Sequence, residues 1–294
     1  MRTIIENKNK KIIILGHSGF IGTSLERYLT KSTEWTIEGR SLPELDLTDY
    51  RQTRELIPFF TQENVIVLAA AVKRQFGDTL DVFNQNMKIV ENICRIFEEY
   101  PVHQIIYMSS AAVYGEETEN INISESTLVN PTSYYGINKY TSECILRKSC
   151  VSNQITKLLC LRPPLIYGPG DPAETYGPSG FTSAARKNNP ITLWGDGTEL
   201  REFIYIEDIC RIIEILISKS MDGILNAVSG NKYSFIEVIN ILKEKFPYLT
   251  INSKPRSKEK VDNAFDPSHF YSLIGRDFQF VKLNEGIENI LKSY

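Results

Sequence analysis

The sequence predicts an α/β protein built on a doubly wound parallel sheet. Short apolar runs typical of buried parallel strands recur along the first half of the chain, at residues 11–16, 64–71, 104–110 and 156–163. Longer amphipathic stretches lie between these runs, most clearly at residues 81–99 and 133–149. Strands and helices that alternate at this spacing require crossover connections, which place helices on both faces of one sheet.

The composition is that of a globular protein without a polyanionic partner. Of 294 residues, 42% are hydrophobic and 23% are charged, and the formal net charge is −3, so no nucleic-acid partner is expected. The basic segment 254–260 is interpreted as a solvated loop. No apolar stretch reaches the roughly 18 residues of a membrane span, and residues 1–10 lack the apolar core of a signal peptide. We therefore expect a cytoplasmic protein without membrane contact.

The five cysteines form no C-x-x-C pair. Cys94, Cys160 and Cys210 lie inside apolar runs, which predicts buried thiols in place of a disulfide framework. No metal site is predicted.

The second crossover is shorter than the others. Residues 35–40 have the pattern of a strand, Leu45-Asp-Leu-Thr-Asp49 follows, and one helix fits before residue 64. After residue 163 the pattern loosens, and residues 168–178 are rich in turn formers, which predicts a mobile loop near the site.

The remainder of the chain alternates short strands with helices. The predicted strands are 191–193, 203–206 and 223–228, and the predicted helices are 207–218, 234–245 and 283–292. We expect two domains, residues 1–163 and a smaller C-terminal α/β lobe of residues 164–294 that mainly binds substrate, with exchange of chain between them.

The segment Gly16-His-Ser-Gly-Phe-Ile-Gly22 predicts a dinucleotide site. It lies between the first strand and an amphipathic helix at residues 20–30, where glycines let the backbone turn sharply and approach a pyrophosphate. This context favours a Rossmann-type domain over a purely structural turn. His17 is interpreted as a loop residue lining the phosphates. The predicted cofactor contacts are Gly16, Ser18, Gly19, Phe20, Ile21 and Gly22.

The end of the second strand bears on the choice of dinucleotide. Glu38 lies about where an acid would bond a ribose hydroxyl, which favours NAD, whereas Arg40 lies where a cation would meet a 2′-phosphate, which favours NADP. Both point the same way on a strand, so they compete. NADP(H) is favoured and NAD(H) is the alternative. Asp46 and Asp49 either flank the adenine or cap a helix.

Tyr135 and Lys139 share one face of the predicted helix 133–149, about a turn apart. The ammonium favours phenolate, but lowering the pKa of a tyrosine from about 10 to neutrality requires about 4 kcal/mol. One lysine rarely supplies this, so a bound cationic ring or a helix terminus is expected to contribute. Taken alone, the two residues are weak evidence, because most Tyr/Lys pairs at this spacing are solvated surface pairs.

Ser110 ends the fourth predicted strand, at the carboxyl edge where ligands bind in such sheets. Its hydroxyl can hydrogen-bond a substrate oxygen while Tyr135 exchanges that oxygen's proton. The alternative is a serine that satisfies local backbone.

With these motifs the chain resembles the extended short-chain dehydrogenase/reductase family, which comprises nucleotide-sugar epimerases, dehydratases and reductases. The resemblance runs from about residue 11 to the C-terminus. Its carriers are Gly16-x-x-Gly-x-x-Gly22, Ser109-Ser-Ala-Ala-Val-Tyr-Gly115, Tyr135-Gly-x-x-Lys139, Leu161-Arg-Pro-Pro-Leu-Ile-Tyr-Gly-Pro169 and Trp194-Gly-Asp-Gly-Thr-Glu-Leu-Arg-Glu-Phe-Ile-Tyr205.

The resemblance implies a catalytic triad of Ser110, Tyr135 and Lys139, in which Tyr135 is the acid/base and Lys139 also holds the nicotinamide ribose. It implies that Arg201 clamps the diphosphate of a sugar nucleotide, which suits a guanidinium. Further implied roles are cofactor packing by Ala69, Ala70 and Ala71, substrate contacts by Ser109 and Ala111, support of the adjoining sheet edge by Asn86, and structural roles for Arg162 and Asp208.

Departures from the family pattern narrow the reaction. Sugar-nucleotide dehydratases carry an Asp-Glu pair where this chain has Ala111 and Ala112, and alanine cannot transfer a proton. The chain is also similar to GDP-fucose synthases, but their epimerising cysteine aligns with Ala112 and their histidine falls near Ser179. Dehydration and C3/C5 epimerisation are therefore disfavoured. Leu165 replaces an asparagine that many relatives use toward substrate.

Among the reactions of the family, hydride transfer with one proton relay is then the one that the residues favour. The first hypothesis is an NADPH-dependent reductase of a 4-keto-6-deoxy nucleotide sugar, and the second is a nucleotide-sugar 4-epimerase with tightly bound NAD. The third is a regulatory subunit without catalysis, although such proteins usually lose the Tyr/Lys pair. The helices 81–99 and 133–149 predict a homodimer by pairing across a two-fold axis.

Overall fold

Strands and helices alternate along the first half of the chain. The computed structural model describes residues 10–72, 77–117, 119–172, 176–256 and 259–293. In chain order the strands are β1 (Lys11–Leu15), β2 (Thr36–Arg40), β3 (Val65–Leu68), β4 (Gln104–Met108), β5 (Asn120–Ile123), β6 (Lys157–Arg162), β7 (Leu165–Tyr167), β8 (Ile191–Trp194), β9 (Leu200–Arg201), β10 (Phe203–Tyr205), β11 (Gly223–Asn226), β12 (Tyr233–Ser234), β13 (Ile251–Lys254) and β14 (Asn263–Phe265). The helices are α1 (Phe20–Ser32), α2 (Tyr50–Thr53), α3 (Leu80–Phe97), α4 (Tyr134–Asn153), α5 (Gly177–Arg186), α6 (Ile206–Ser218), α7 (Phe235–Lys245), α8 (Ser268–Ile274) and α9 (Leu283–Lys292).

Six strands form the main sheet in the order β11-β6-β4-β3-β1-β2. The pairings of β2 with β1, β1 with β3, β3 with β4 and β4 with β6 are all parallel. The chain turns one way from β1 to β2 and the other way to β3, so a topological switch point lies between β1 and β3. The predicted doubly wound α/β fold is confirmed.

The core on one face of this sheet follows from the apolar runs. Ile13 and Ile66 of the strands are buried with Ile93 and Phe97 of α3 in one cluster. Each such side chain contributes about 1.5–3 kcal/mol when it is removed from water.

Both helices on this face begin at a capping side chain. Thr79 accepts a hydrogen bond from the amide of Val82 at the start of α3, and Ser133 accepts one from Gly136 at the start of α4. The two helices pack against each other. Ser133 therefore fixes where the helix carrying Tyr135 begins.

The second crossover is short, as predicted. It consists of α2 and a 3-10 helix, Arg54–Phe59, that contains Pro58. Pro58 has no amide to donate to the carbonyl of Arg54, so a regular α-helix cannot continue through it.

The chain divides into two compact units. Unit 1 comprises the residues up to 113 with 131–162 and 210–225, and unit 2 comprises 114–130, 163–209 and the residues from 226 onward. The predicted boundary at residue 163 coincides with one of the points where the chain passes from one unit to the other. The segments 114–130 and 210–225 belong to the unit opposite to the one that a single boundary would give them.

Unit 2 contains four two-stranded pairings: β5 with β14, β7 with β10, β8 with β13 and β9 with β12. The predicted loop 168–178 ends within α5, which begins at Gly177, and its residues 173–175 lie outside the described ranges. In the basic segment 254–260, Arg256 forms ion pairs with Asp196 and Glu199 and is not a solvated side chain.

The structure describes all five cysteines and joins none of them in a disulfide, and Cys94, Cys160 and Cys210 are buried, which confirms the interpretation of their apolar surroundings. Among the helices of the described ranges, none combines the length and the apolar composition that crossing a membrane requires.

Candidate active site

The glycine loop lies at the switch point of the sheet. Gly16 has a φ of +91°, and a Cβ there would lie 2.6 Å from the backbone nitrogen of Ala70. Its amide donates to the carbonyl of Arg40 at 2.8 Å. Only glycine adopts this conformation and leaves room for the segment after β3, so the loop is fixed between the ends of β2 and β3.

The N-terminus of α1 fits the pyrophosphate of a dinucleotide. Gly19 occupies the N-cap position without a side-chain hydrogen bond, Ser18 is exposed, and the first turn is Phe20, Ile21 and Gly22. The amides of a first turn have no partner within their own helix, and the helix dipole adds positive potential there. This end of α1 therefore suits an anion, as predicted for the loop.

Glu38 and Arg40 pair with each other at the end of β2. Glu38 Oε1 lies 2.5 Å from Lys11 Nζ, and Glu38 Oε2 lies 2.9 Å from Arg40 Nη2. The Arg40 guanidinium is 4.7 Å from the ring centroid of Phe59. Two cations thus flank one carboxylate, and the three groups together carry a net positive charge.

The two aspartates of the following segment act in turns and caps. Asp46 Oδ1 accepts hydrogen bonds from the amide and the hydroxyl of Thr48, at 2.8 and 2.7 Å. Asp49 accepts from the amide of Arg51 as the N-cap of α2. Of the two interpretations, this geometry fits the capping one, and the adenine contact of Asp46 stays a prediction.

Residues 69–71 continue from β3 beside the glycine loop. The amide of Ala69 donates to the carbonyl of Leu15 at 2.9 Å. Asn86 of α3 accepts from the amide of Val72 at 2.7 Å and donates to its carbonyl at 3.2 Å. The amide side chain thus anchors the segment that contains Ala69, Ala70 and Ala71.

The segments that carry Ser110 and Tyr135 meet where α4 approaches the end of β4. Ser110 lies between β4 and the 3-10 helix Ala111–Tyr114, and its hydroxyl accepts from the amide of Ala112 at 3.2 Å. A Cβ at Gly136 would lie 2.7 Å from the carbonyl oxygen of Ala112, so the first turn of α4 touches this backbone. The turn that carries Tyr135 is therefore packed against the segment that carries Ser110.

Lys139 is buried, and its ammonium lies between the end of β4 and the ring of Tyr135. Its Nζ donates to the carbonyl of Met108 at 2.6 Å and lies 5.7 Å from the ring centroid of Tyr135. Burial lowers the pKa of Lys139 to about 8, and Glu143, one turn further along α4, opposes this. Lys139 is therefore still mainly charged near neutral pH, and its ammonium retains further donors for a ligand.

A buried ion network lies beneath the triad; we call Ser109, Glu143 and Arg162 the Glu143 network. Arg162 donates to both carboxylate oxygens of Glu143, at 2.9 and 2.5 Å, and the two side chains are 3% and 5% exposed. Ser109 donates its hydroxyl to the same carboxylate. Ser109 was predicted as a substrate contact, but its buried hydroxyl is directed into the protein.

Asp78 is a site residue that the sequence analysis did not identify. Its carboxylate accepts from the amides of Tyr135 at 2.9 Å and of Tyr134 at 3.3 Å. It adds a negative charge at the N-terminus of α4, where a negative charge interacts favourably with the helix dipole. Because 57 residues separate the partners, no local pattern in the sequence indicates this cap.

Arg201 belongs to unit 2. Its Nη1 donates to the carbonyls of Leu200 at 2.8 Å and Val261 at 2.5 Å, and its guanidinium also hydrogen-bonds Tyr176. Its predicted diphosphate contact stays a prediction.

Unit 2 also contains an exposed ion cluster and a buried carboxyl, with acidic residues close to Arg201 in the sequence. Asp196, Glu199 and Arg256 form what we call the Arg256 cluster, in which Arg256 holds the pKa of Asp196 below its ordinary value. Glu202 is 2% exposed and accepts hydrogen bonds from the Ser229 hydroxyl at 2.8 Å and the Gly230 amide at 3.1 Å. Burial nevertheless raises its pKa to about 7.

Comparisons with known proteins agree with this geometry. The model of the NAD dependent epimerase/dehydratase family matches residues 12–227. The chain is 26% identical over 291 residues to GDP-6-deoxy-D-talose 4-dehydrogenase of Aggregatibacter actinomycetemcomitans, covering 96% of this chain and 97% of that protein. It is 26% identical over 303 residues to a putative UDP-glucose 4-epimerase of Methanocaldococcus jannaschii, covering 95% and 97%.

A solved structure shows the same fold. The UDP-glucuronic acid 4-epimerase from Bacillus cereus, in complex with UDP-glucuronic acid and NAD, superposes with a TM-score of 0.83 at 21% identity. The match covers 97% of this chain and all of that one. The predicted Rossmann-type architecture is confirmed by this likeness.

Proposed function

The chain belongs to the NAD dependent epimerase/dehydratase family, and we propose that it reduces a 4-keto-6-deoxy nucleotide sugar with NADPH. The observation that carries the proposal is the site around Tyr135. The phenol is packed at the start of α4 beside Lys139 and the Ser110 segment, whereas the two positions after Ser110 carry only methyl groups. A phenol as proton donor, with no acid or base at residues 111 and 112, suits a ketone reduction.

The residues have distinct tasks in this reaction. A bound reduced nicotinamide supplies the hydride. Tyr135 donates a proton to the C4 oxygen of the sugar, and Ser110 hydrogen-bonds the same oxygen and orients it. The charge of Lys139 stabilises the phenolate that Tyr135 leaves behind, and its free donors bind the nicotinamide ribose. Arg201 is the proposed contact for the diphosphate.

The first named relative supports this assignment. A 4-dehydrogenase and a 4-keto reductase carry out one hydride transfer in opposite directions, and the talose enzyme is named for its action at position 4 of a GDP-linked 6-deoxy sugar. The retained Ser110, Tyr135 and Lys139 also speak against the third hypothesis, a regulatory subunit without catalysis.

The preference for NADP rests on the pairing at the end of β2. Both oxygens of Glu38 are engaged by cations, which compete with a ribose hydroxyl for this carboxylate. Arg40 already lies at that end with a partly exposed guanidinium, which suits a 2′-phosphate.

The test uses 4-keto-6-deoxy sugars linked to GDP, UDP and dTDP. We expect stoichiometric oxidation of NADPH with at least one of them, and transfer of deuterium from labelled NADPH to sugar C4. Tyr135→Phe should lower kcat by about 10²–10⁴-fold because the proton donor is lost. Tyr134→Phe, the exposed neighbour on the same helix, is the matched control and should leave kcat unchanged.

A purified protein that retains tightly bound NAD and oxidises no NADPH on any keto sugar would contradict this proposal. A 4-epimerase is then the second candidate, and the relative named as a UDP-glucose 4-epimerase favours it. The same triad would remove and return hydride at C4 without net use of cofactor. UDP- and GDP-hexoses that give no C4 epimer, with either dinucleotide, would exclude that candidate.

We further propose a homodimer formed through α3 and α4. The two helices pack side by side in unit 1, and α4 exposes Ile137 and Val151. Exposed apolar side chains on a packed helix pair suit a second copy of the same surface. Light scattering that gives the mass of one chain would contradict this.

A further inference from the structure

The amides of the first three residues of α4 are all occupied by side chains. The amides of Tyr134 and Tyr135 donate to the two oxygens of Asp78, at 3.3 and 2.9 Å. The amide of Gly136 donates to the hydroxyl of the N-cap, Ser133, at 3.1 Å. Such amides have no partner within their own helix and carry the positive end of its dipole. In α4 that end is closed by one hydroxyl and one carboxylate.

Asp78 also connects the starts of two helices. The residue after it, Thr79, is the N-cap of α3. The ring of Phe83 in α3 contacts the ring of Tyr134, with 6.3 Å between the centroids, and the carbonyl of Phe83 accepts from the side chain of Asn138 at 3.4 Å. The first turn of α4 is therefore held against the first turn of α3 by a carboxylate, a ring contact and an amide.

The charge of Asp78 acts on Tyr135 in the direction opposite to the charge of Lys139. Side chains of a helix incline toward its N-terminus, so the phenol of Tyr135 belongs to the end that Asp78 caps. An open helix terminus stabilises a phenolate, whereas a carboxylate at the same place destabilises it.

Three other titratable groups surround the phenol of Tyr135 in unit 1. The Nζ of Lys139 lies 5.7 Å from its ring centroid. Tyr107 of β4 is a second phenol, whose pKa is raised by burial, and Glu143 is held in the network named for it. Lys139 is therefore the cation that supports a phenolate here, and the closed end of α4 adds little to it.

We propose that Asp78 is a positioning residue that keeps Tyr135 a proton donor. Its carboxylate holds the backbone of Tyr135 in place and offsets the helix terminus that would otherwise stabilise the phenolate. The inference rests on the proposed reduction, in which the phenol has to hold its proton until hydride reaches C4. A reduced nicotinamide ring is uncharged, so it does not support the phenolate before that step.

The test measures the titration of Tyr135 itself and does not depend on turnover. Tyrosine labelled with ¹³C at Cζ gives an NMR signal for each phenol, and the signal that Tyr135→Phe removes belongs to Tyr135. We expect Asp78→Asn to lower the titration midpoint of Tyr135 by about half a pH unit, as when one charge at a helix terminus is lost. An unchanged or higher midpoint overturns the proposal.

Asp81→Asn is the matched control. Asp81 is an exposed carboxylate in the first turn of α3, so the substitution removes the same charge from the neighbouring helix. It should move the Tyr135 midpoint by less than about 0.2 pH unit. Asp78→Glu retains the charge and should keep the wild-type midpoint. If Asp78→Asn does not fold, Asp78→Ser, which keeps a capping oxygen, carries the comparison. Equal shifts in Asp78→Asn and Asp81→Asn overturn the role of Asp78.

The outcomes separate this role from the proposed function. If no keto sugar is reduced and Asp78→Asn still lowers the midpoint, the reduction fails and the effect of Asp78 on the phenol stands. If NADPH is consumed and the midpoint does not move, only the role of Asp78 fails. If both hold, the fall of kcat at high pH should begin about half a pH unit lower in Asp78→Asn, with KM for NADPH changed less than about twofold.

Discussion

The Glu143 network of unit 1 and the Arg256 cluster of unit 2 use the same chemistry in different surroundings. In the first, Arg162 and Glu143 are 3% and 5% exposed. In the second, Arg256 and Glu199 are each 20% exposed and Asp196 is 65% exposed. Water screens the charges of the Arg256 cluster but not those of the Glu143 network. Ion pairs of similar geometry should therefore differ strongly in what they contribute to stability. The network next to the triad is expected to fix geometry, and the exposed cluster to tolerate change.

The largest effect on stability is expected from Arg162→Met. Removing the guanidinium leaves the Glu143 carboxylate buried without its charged partner, which should lower the free energy of unfolding by about 3–5 kcal/mol. Urea denaturation followed by circular dichroism measures this. A loss no greater than that of an exposed pair would mean that burial does not distinguish the two regions.

The next largest effect is expected from Glu202. This buried carboxyl lies in unit 2, three residues after Glu199 of the Arg256 cluster. Its pKa is about 7 in the folded chain against an ordinary 4.5, so between these values the folded state holds a proton that the unfolded state has released. Stability should therefore fall as pH rises from about 4.5 to about 7, by on the order of 3 kcal/mol.

Glu202→Gln should abolish this dependence, since an amide does not titrate. The phenols that face the carboxyl, Tyr233 and Tyr271, have raised pKa values and do not titrate in this window. Urea denaturation near pH 5 and near pH 7.5 gives the comparison, with the more exposed Glu199→Gln as control. A wild type and a Glu202→Gln variant with parallel pH profiles would contradict the prediction.

Sequence patterns predicted the parts of the site that are local in the chain. Tyr135 and Lys139 share a helix face, and Gly16 to Gly22 lie between a strand and a helix, so a short window of sequence contains each motif, and their combination with Ser110 marks them as candidates. The Glu143 network joins residues 19 and 34 positions apart, and the Arg256–Asp196 pair spans 60. Nothing in a local window distinguishes such partners from solvated charges.

The fold shows the same division. The central strands β1, β3, β4 and β6 of the main sheet are almost fully buried and have nearly continuous apolar sequences, so they were found within a few residues. The strands β5, β7, β9, β12, β13 and β14 have two to four residues and pair with distant segments, and they were missed.

A smaller effect is expected from the pH dependence of kcat. Because burial lowers the pKa of Lys139 to about 8, its ammonium is lost as pH rises above that value. The phenolate of Tyr135 then has no cation beside it, and the rate of reduction should fall about tenfold per pH unit. Lys139→Arg retains the charge and should move the fall to higher pH. A wild-type rate that stays constant to about pH 10 would exclude this role of the charge.

The smallest effect is expected from Arg256→Met. The side chain is paired only with partly exposed carboxylates, so water replaces its contacts when it is removed. The loss in free energy of unfolding should be well below that of Arg162→Met and should shrink further in high salt. If Arg256→Met and Arg162→Met lower the free energy of unfolding equally, the expected difference between the exposed cluster and the buried network is contradicted.

The close approach of His17 to Gly39 constrains how this chain could diverge. A Cβ at residue 39 would lie 2.7 Å from the Cβ of His17 and closer still to its ring carbons, so a substitution at 39 requires that residue 17 first become smaller. A lineage that replaces Gly39 must therefore acquire two substitutions in a set order. The same constraint applies to an engineer, for whom a library randomised at residue 39 alone would return mainly glycine.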